Sequence, residues 1–408
     1  MFQVFQIVMT LLTLSVLLLG IYGVLGFSWI PLGVPIQQNY IVAMSLALSP
    51  RVLAVGASAT APDDTEIHFY LYNGTQWSQF SSHTPQFAQP YEHFELRVQG
   101  ESELYLGLVI NPSDAGAAGL SSILKRVRPE GGEDGWEGSW AFEGELFDFQ
   151  LDAQQNVRMA LAIGANKTLA LTGYDKRGWD TYPAGDTWGP ALPVASPETS
   201  LVSVVAVPGG GGAGNSQFYV GYTTHSAMSV GVTTLSNSSL WEELGTPFTS
   251  DSGVNLNDTS LAWGAGAPSL LCSAASSADS QGVLVSCAEN SSSVWSAPVY
   301  SMKGGVLPTS GTSLASHTLP SGQSVFVSAA VAATGLAILS SVCTVPLGQS
   351  TCSTWVDLPA TNFSAPINSF QLVSSRDLPL HLAVSFGAVD GTGDCVAAFL
   401  LDGSWEHL

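Results

Sequence analysis

Apolar and polar residues alternate with a period of two over much of the chain beyond residue 40, and short polar turns separate these stretches. Within residues 197–250 the pattern predicts strands at 201–207, 217–223 and 227–233, with a glycine tract at 209–214 between the first two. Such alternation is typical of half-buried β-strands. Because no stretch beyond residue 40 has the 3.6-residue period of an amphipathic helix, we predict an all-β fold.

A tryptophan recurs behind these groups of strands, at intervals of roughly fifty to sixty residues. The copies are Trp77, Trp140, Trp188, Trp241, Trp295, Trp355 and Trp405. A repeat of this length is typical of a β-propeller, in which each repeat forms one four-stranded blade. We expect the recurring indole to pack between blades rather than to stack on a sugar.

The repeats predict one domain, residues 38–408, that forms a seven-bladed β-propeller. Their bounds lie near 38–90, 91–142, 143–196, 197–250, 251–307, 308–364 and 365–408. Six blades are the alternative, if residues 126–144 form a long loop and the second repeat is an excursion from a neighbour. The segment at Trp405 is predicted to complete the last blade, and the strand near residues 40–48 is predicted to begin the ring beside it.

The N-terminal segment has a different composition. Residues 4–30 are almost wholly apolar, and the first charged side chain is Arg51. The densest part, residues 7–27, is long enough as a helix to cross a hydrocarbon core of roughly 30 Å. We therefore predict one N-terminal hydrophobic helix, with residues 1–37 as a membrane signal anchor or a signal peptide and a short linker. Val24 and Gly26 fit the small-residue positions of a cleavage site.

Both interpretations of this segment place the rest of the chain outside the cytosol, secreted or anchored to a membrane. Six sequons for N-glycosylation agree with that location. They are Asn73, Asn166, Asn237, Asn257, Asn290 and Asn362. The five cysteines predict two local disulfides, Cys272 with Cys287 and Cys343 with Cys352, and Cys395 is expected to be a buried small apolar residue.

The charge balance narrows the range of partners. The chain has 11 Lys+Arg and 32 Asp+Glu, a formal net charge of -21. Such a surface repels phosphate backbones, so we expect no nucleic-acid partner. The acidic residues between Glu130 and Asp148 are interpreted as a solvated face, with calcium binding as the alternative, although they lack the spacing of a calcium loop. No cysteine or histidine spacing typical of a metal site occurs, and no metal or cofactor is expected.

The third repeat contains two segments that bear on function. Residues 156–161 read Asn-Val-Arg-Met-Ala-Leu, and residues 174–179 read Tyr-Asp-Lys-Arg-Gly-Trp. They resemble the blades of the fungal fucose-specific lectin family, and the turns at Tyr72 and Leu401 are shorter echoes. The resemblance implies a propeller that holds sugars between blades with a strand arginine, a glutamate and aromatic rings. It implies a sugar site at Arg158, Trp179, Tyr174 and Asp175.

The chain departs from that family pattern at several positions. Leu171 stands where the third-repeat glutamate is expected, and His381 and Ala398 replace the arginine and glutamate of the seventh repeat. The fourth to sixth repeats carry no strand arginine. A buried polar group that lacks its partner loses solvation without replacement. The resemblance therefore supports the fold more than the ligand.

These features predict a lectin-like protein that binds glycans or glycoproteins, including fucosylated ones. A non-catalytic scaffold for proteins at the cell surface or in the secreted fraction is the alternative, and a propeller similar to a glycoside hydrolase is the third interpretation. We expect no enzyme, because the seven histidines pair with no nucleophile motif. Paired carboxylates typical of glycosidases are not evident either.

Overall fold

The computed structural model describes most of the chain beyond residue 26. The described residues are 27–48, 51–58, 65–83, 91–99, 103–110, 120–127, 135–143, 145–151, 157–163, 168–174, 202–207, 217–223, 227–234, 242–279, 281–289, 292–306, 311–352, 354–374, 379–388 and 393–402. Regular structure in these ranges is almost entirely β, with a short 3-10 helix at Ser250–Ser252. The prediction of an all-β chain is confirmed.

Two short strands come first in the chain and are followed by three sheets. The short strands are β1 (Ser28–Pro31) and β2 (Ile36–Gln38). The first sheet contains β3 (Tyr40–Ala47), β4 (Val52–Ser58), β5 (Thr65–Tyr72) and β6 (Trp77–His83). The second contains β7 (Tyr91–Gln99), β8 (Glu103–Ile110), β9 (Leu120–Val127) and β10 (Gly135–Glu143). The third contains β11 (Glu145–Leu151), β12 (Val157–Ile163) and β13 (Thr168–Tyr174).

Four further sheets follow in chain order. The fourth contains β14 (Val202–Val207), β15 (Gln217–Thr223), β16 (Ala227–Thr234) and β17 (Glu242–Thr249). The fifth contains β18 (Val254–Gly264), β19 (Leu270–Ser277), β20 (Gly282–Glu289) and β21 (Val299–Lys303). The sixth contains β22 (Thr312–Thr318), β23 (Ser324–Val331), β24 (Ala337–Val345), β25 (Val356–Asp357) and β26 (Thr361–Asn362). The seventh contains β27 (Ile367–Val373), β28 (His381–Gly387) and β29 (Asp394–Asp402), joined by β1 and β2.

Each sheet is an antiparallel meander, and the first strands of consecutive sheets contact each other. These contacts run from β3 and β7 through β11, β14, β18 and β22 to β27, and β27 contacts β3 in turn. Apolar clusters fill the spaces between sheets. One of them joins Phe69 of the first sheet to Phe94 of the second, both fully buried. The core is therefore divided among the junctions between neighbouring sheets.

The first two strands of the chain join the last sheet. Both β1 and β2 pair with β29, so that Trp29 lies opposite Leu401 and Gln37 opposite Cys395. Phe27 is 3% exposed within the cluster between the sixth and seventh sheets. Residues 28–38 thus supply the strands that pair with β29 in the seventh sheet. The segment at Trp405 lies outside the described residues.

The apolar run that predicted the hydrophobic helix is described only at its end. Its last residues, 28–30, belong to β1 rather than to a helix. Residues 1–26 lie outside the described part of the chain. Among the described residues, no helix has the length and apolar character needed to cross a membrane.

The second repeat also differs from the expectation of a long loop at 126–144. Residues 135–143 of that range form β10, which pairs with β9 to complete a four-stranded sheet. The register shifts between Glu137 and Ser139. A bulge of this kind puts an extra residue into the strand, which interrupts the alternation on which the prediction relied.

Both predicted disulfides are present. Cys272 of β19 bonds Cys287 directly opposite on β20, and Cys343 of β24 bonds Cys352 before β25. All four half-cystines lie in one apolar cluster between the fifth and sixth sheets. Cys395 is only partly buried and packs against the cluster between the sixth and seventh sheets. Disulfides of this kind are typical of oxidising, extracellular compartments.

Candidate functional site

The residues of the sequence-predicted sugar site are only partly described. Arg158 lies on β12, the middle strand of the third sheet, opposite Gly173 of β13. Tyr174 is the last residue of β13 and lies opposite Val157, one register position from Arg158. Asp175 and Trp179 lie outside the described residues. The backbone therefore brings two of the four residues to neighbouring positions on adjacent strands.

The predicted glycosylation sites differ in how much of them is described. Asn73 is exposed in the turn between β5 and β6, where its Oδ1 accepts hydrogen bonds from the backbone N–H groups of Thr75 and Gln76, both at 3.0 Å. Asn362 is exposed on β26, and Asn257 lies within β18. The sequons at Asn166, Asn237 and Asn290 lie outside the described residues.

The recurring tryptophans pack between sheets, as predicted, wherever their side chains are described. The Trp77 indole N–H donates to the carbonyl of Leu32 at 2.6 Å, and that of Trp295 donates to the carbonyl of Leu244 at 2.9 Å. In both cases the acceptor belongs to the outer strand region of the preceding sheet. Trp355 packs into the cluster between the fifth and sixth sheets. These indoles are structural elements of the junctions, and Trp77 also keeps part of its surface exposed.

A row of partly exposed side chains lies where the first sheet meets the seventh. Arg51 precedes β4, Tyr72 ends β5 and Trp77 begins β6. They occupy facing positions, because the Tyr72 N–H donates to the Arg51 carbonyl and Tyr72 pairs with Trp77. The Arg51 guanidinium carbon is 5.8 Å from the centre of the Tyr72 ring. The Tyr72 and Trp77 ring centres are 5.1 Å apart, with their planes at 47°. We call this row, together with His381 of the seventh sheet, the closing junction.

His381 fixes the direction of the arginine. It is fully buried, and its Nε2 accepts the Arg51 Nε–H at 2.7 Å. Because an arginine can only donate, Nδ1 must carry the ring proton, which it donates to the Pro379 carbonyl at 2.7 Å. Burial is the main cause that lowers the pKa of His381 to about 4; the hydrogen bond to Pro379 opposes this shift, and the positive charge of Arg51 adds to it. The histidine is therefore neutral at neutral pH and holds Arg51 by its Nε edge.

The edge of the Arg51 guanidinium formed by its two Nη atoms can donate further hydrogen bonds. Its two Nη atoms carry four further N–H donors in a rigid plane. Within the described part of the chain, no carboxylate forms an ion pair with Arg51, and the one ion pair seen there joins His68 to Glu66. A guanidinium edge beside two aromatic rings suits a ligand that combines an apolar face with hydroxyl or acidic oxygens.

Further polar contacts hold residues 27–38, here called the closing segment, and the start of β3 in place. Gln38 Nε2 donates to the Tyr70 hydroxyl at 2.6 Å, and the Asp394 carboxylate accepts the Ile41 N–H at 2.9 Å. Burial raises the pKa of Tyr70. Among the described residues, no group of three or more histidine, cysteine or acidic side chains could hold a metal ion.

Sequence reasoning named His381 only as a departure from the lectin pattern, and it did not name Arg51 or Tyr72 as functional. Arg51 and His381 are 330 residues apart in the chain. The available signal was modest: Arg51 is the first charged residue, and the turn after Tyr72 matched the lectin-like turn. Their proximity follows only from the contact between the first and last sheets.

No family model matches the chain, and no curated protein matches it. The resemblance to fucose-specific lectins therefore finds no support in these comparisons. Solved structures do match. An ulvan lyase, described as a new family of polysaccharide lyase and bound to -[GlcA(1-4)Rha3S]-, is 9% identical with a TM-score of 0.52. The match covers 92% of this chain and 96% of the lyase.

The same lyase in a second structure gives a TM-score of 0.51 at 9% identity, again over 92% of this chain and 96% of that one. A microbial sialidase is 11% identical over 86% of this chain and 76% of its own, with a TM-score of 0.43. At these identities the likeness shows the fold alone. The prediction that the chain is not an enzyme is nevertheless corrected, because the lyase shows that this fold carries enzymes that act on polysaccharides.

Proposed function

We propose that the chain is a seven-bladed β-propeller that acts on glycans outside the cytosol. Apart from β1, β2 and the last residue of β10, the strands of the seven sheets fall within the seven repeat intervals, and the contacts between the first strands return from β27 to β3. Both features support one closed ring of blades. The two disulfides and the exposed sequon at Asn73 support passage through the secretory pathway. Residues 1–26 are proposed to be the signal peptide or the membrane anchor.

Glycan binding rests on the closing junction. Tyr72 and Trp77 offer aromatic surface that packs well against the C–H faces of a sugar, and Arg51 offers N–H donors beside them. The likeness to an ulvan lyase with a bound oligosaccharide supports the same ligand class at the level of the fold. Glycan cleavage is the second candidate function, since that neighbour is itself a lyase.

The third sheet supplies a second proposed glycan site, at Arg158, Tyr174, Asp175 and Trp179. It is supported by the neighbouring register positions of Arg158 and Tyr174 and by the lectin-like sequence there. This site is the one proposed to prefer fucosylated glycans.

The test uses the full chain, secreted from a eukaryotic host and applied to an array of fucosylated, neutral and acidic glycans. We expect retention on at least one of these classes. Each retained glycan is then incubated with the protein, and new chain ends are measured by chromatography to detect cleavage. If a correctly folded protein neither retains nor cleaves any glycan, the proposed function is wrong. The Arg158→Ala variant separates the third-sheet site, because it should abolish only the binding of fucosylated glycans.

A further inference from the structure

We propose that the closing junction recognises sugars that carry a carboxylate, the uronic and sialic acids, through the free edge of Arg51. This inference rests on the proposed function and names the chemical class of ligand for one of its sites. The carboxylate oxygens would accept from the two Nη groups, and the sugar ring would lie against Tyr72 and Trp77.

The first argument is the orientation of the guanidinium group. A guanidinium can present two edges to a planar acid, one through Nε and Nη and one through both Nη atoms. The hydrogen bond to His381 occupies the Nε edge, so the edge formed by both Nη atoms is the one available to a ligand. Two parallel N–H donors match the two oxygens of a carboxylate, which makes this contact stronger and more directional than one to a hydroxyl.

The second argument is the electrostatic setting of Arg51. The chain carries 32 acidic residues against 11 basic ones, yet no carboxylate in the described ranges pairs with this arginine. Arg97, by comparison, donates its Nη1–H to the Leu96 carbonyl. A partly buried guanidinium beside a neutral histidine retains its affinity for an external anion. In a protein of net charge -21, such a site is a local exception to a surface that repels acids.

The third argument is the aromatic surface next to the arginine. The three side chains lie side by side across adjacent strands, with the guanidinium 5.8 Å from the Tyr72 ring centre. A bare anion such as sulfate would use only the arginine. A sugar acid uses both parts of the site, because its C–H face meets the rings while its carboxylate meets the guanidinium.

The experiment compares acidic oligosaccharides with matched neutral ones on the full chain. Calorimetric titrations use trigalacturonate against its carboxyl-reduced form, and sialyllactose against lactose. The protein variants are Arg51→Gln, which removes the charge, and Arg51→Lys, which keeps the charge but cannot form the two parallel bonds. Lys303→Gln is the matched control, because Lys303 is an exposed cation on β21 of the fifth sheet.

We expect at least one acidic ligand to bind about tenfold or more tightly than its neutral form, as a charge-assisted bidentate contact would give. Arg51→Gln should lose that preference, Arg51→Lys should lose most of it, and Lys303→Gln should keep it. Thermal unfolding of each variant identifies any that fails to fold. Arg51→Lys then carries the test, since it preserves the charge next to His381.

Two results would overturn the inference while leaving glycan binding intact: equal binding of acidic and neutral partners, or an unchanged preference in a folded Arg51 variant. Equal competition by polyglutamate would also overturn it, because the site would then recognise carboxylates of peptides. If no glycan of any class binds, the proposed function itself fails.

Discussion

Replacing Gly33 by alanine should destabilise the closing junction far more than a change of one methyl group suggests. Gly33 has φ +76°, and an added Cβ would lie 3.1 Å from the Thr75 carbonyl and 3.6 Å from Cδ1 of Trp77. An alanine in this left-handed region costs about 1–2 kcal/mol. Displacing the neighbours adds about 1–3 kcal/mol of overpacking. Loss of the indole hydrogen bond to Leu32 adds about 0.5–1.5 kcal/mol.

The natural control for this change is Gly74→Ala. Gly74 also has positive φ, +98°, but an added Cβ there meets nothing within 4 Å. Its cost should therefore be that of the backbone alone. We expect Gly33→Ala to lower the free energy of unfolding by roughly 2 kcal/mol or more beyond Gly74→Ala, the overpacking and hydrogen-bond costs taken together.

The fourth and fifth sheets contain a second glycine–tryptophan contact of the same kind. Gly245 has φ +96°, and its added Cβ would lie 2.9 Å from the Ser293 carbonyl and 3.5 Å from Cδ1 of Trp295. Gly245→Ala should thus resemble Gly33→Ala. Urea unfolding followed by circular dichroism measures all three variants. Equal costs for the three would refute the view that these indoles lock neighbouring sheets together by lying over a glycine.

Three further predictions concern the same fold. The pKa of His381 is lowered from 6.5 to about 4 in the folded protein. As the pH falls, the histidine of the unfolded chain therefore binds its proton at a higher pH than that of the folded protein. The contribution of His381 to the free energy of unfolding should be complete above pH 6.5 and fall by about 3 kcal/mol towards pH 4. Urea titrations at several pH values should show a smaller loss in His381→Asn. An equal loss in the variant would contradict this. Replacing Cys343 and Cys352 by serine removes a disulfide that joins residues nine positions apart. The double variant should be about 3 kcal/mol less stable in the same urea assay. An unchanged unfolding midpoint would contradict this. A chain that begins at Asn39 should fail to fold when one beginning at Phe27 folds, as judged by gel filtration and circular dichroism, because it lacks β1 and β2; a folded, monodisperse shorter chain would show that closure does not need them.

Sequence pattern alone predicted the regular sheets well. In the fourth repeat the expected strands 201–207, 217–223 and 227–233 correspond to Val202–Val207, Gln217–Thr223 and Ala227–Thr234. Each of these strands pairs with its sequence neighbour, so local alternation and turn residues carry most of the information. The paired cysteines were predictable for the same reason, because each disulfide spans a short loop within one sheet.

The N-terminal strands were missed in the sequence because the hydrophobicity of residues 28–38 was considered and not their similarity to the repeats. The segment Trp29-Ile-Pro-Leu32-Gly33-Val-Pro35 follows the same pattern as Trp241-Glu-Glu-Leu244-Gly245-Thr-Pro247. In both, the leucine carbonyl accepts the indole N–H of the next sheet. This match was available in the sequence, but a long apolar run favours a membrane helix on composition alone, and Trp405 offered a rival for the last tryptophan position.

The candidate site could not be predicted for a different physical reason. In the sequence, His381 is a single polar residue at the start of an otherwise apolar strand, and nothing near it suggests a functional site. Its role depends on Arg51, which reaches it only when the first and seventh sheets meet. Contacts of such high sequence separation leave no local periodicity, so they emerge only from the assembled structure.

The contact between the first and seventh sheets and the candidate site depend on the same few side chains. Trp77 donates to the Leu32 carbonyl of the closing segment while its ring contacts Tyr72, and Arg51 joins Tyr72 to the buried His381 of the last sheet. Opening the junction would therefore separate the aromatic rings from the residue that orients the arginine. A ligand that needs the assembled row would bind only when the two sheets are in contact, and such binding stabilises that state by an amount that grows with the logarithm of ligand concentration above Kd. Recognition at this position would thus strengthen the contact between the first and seventh sheets.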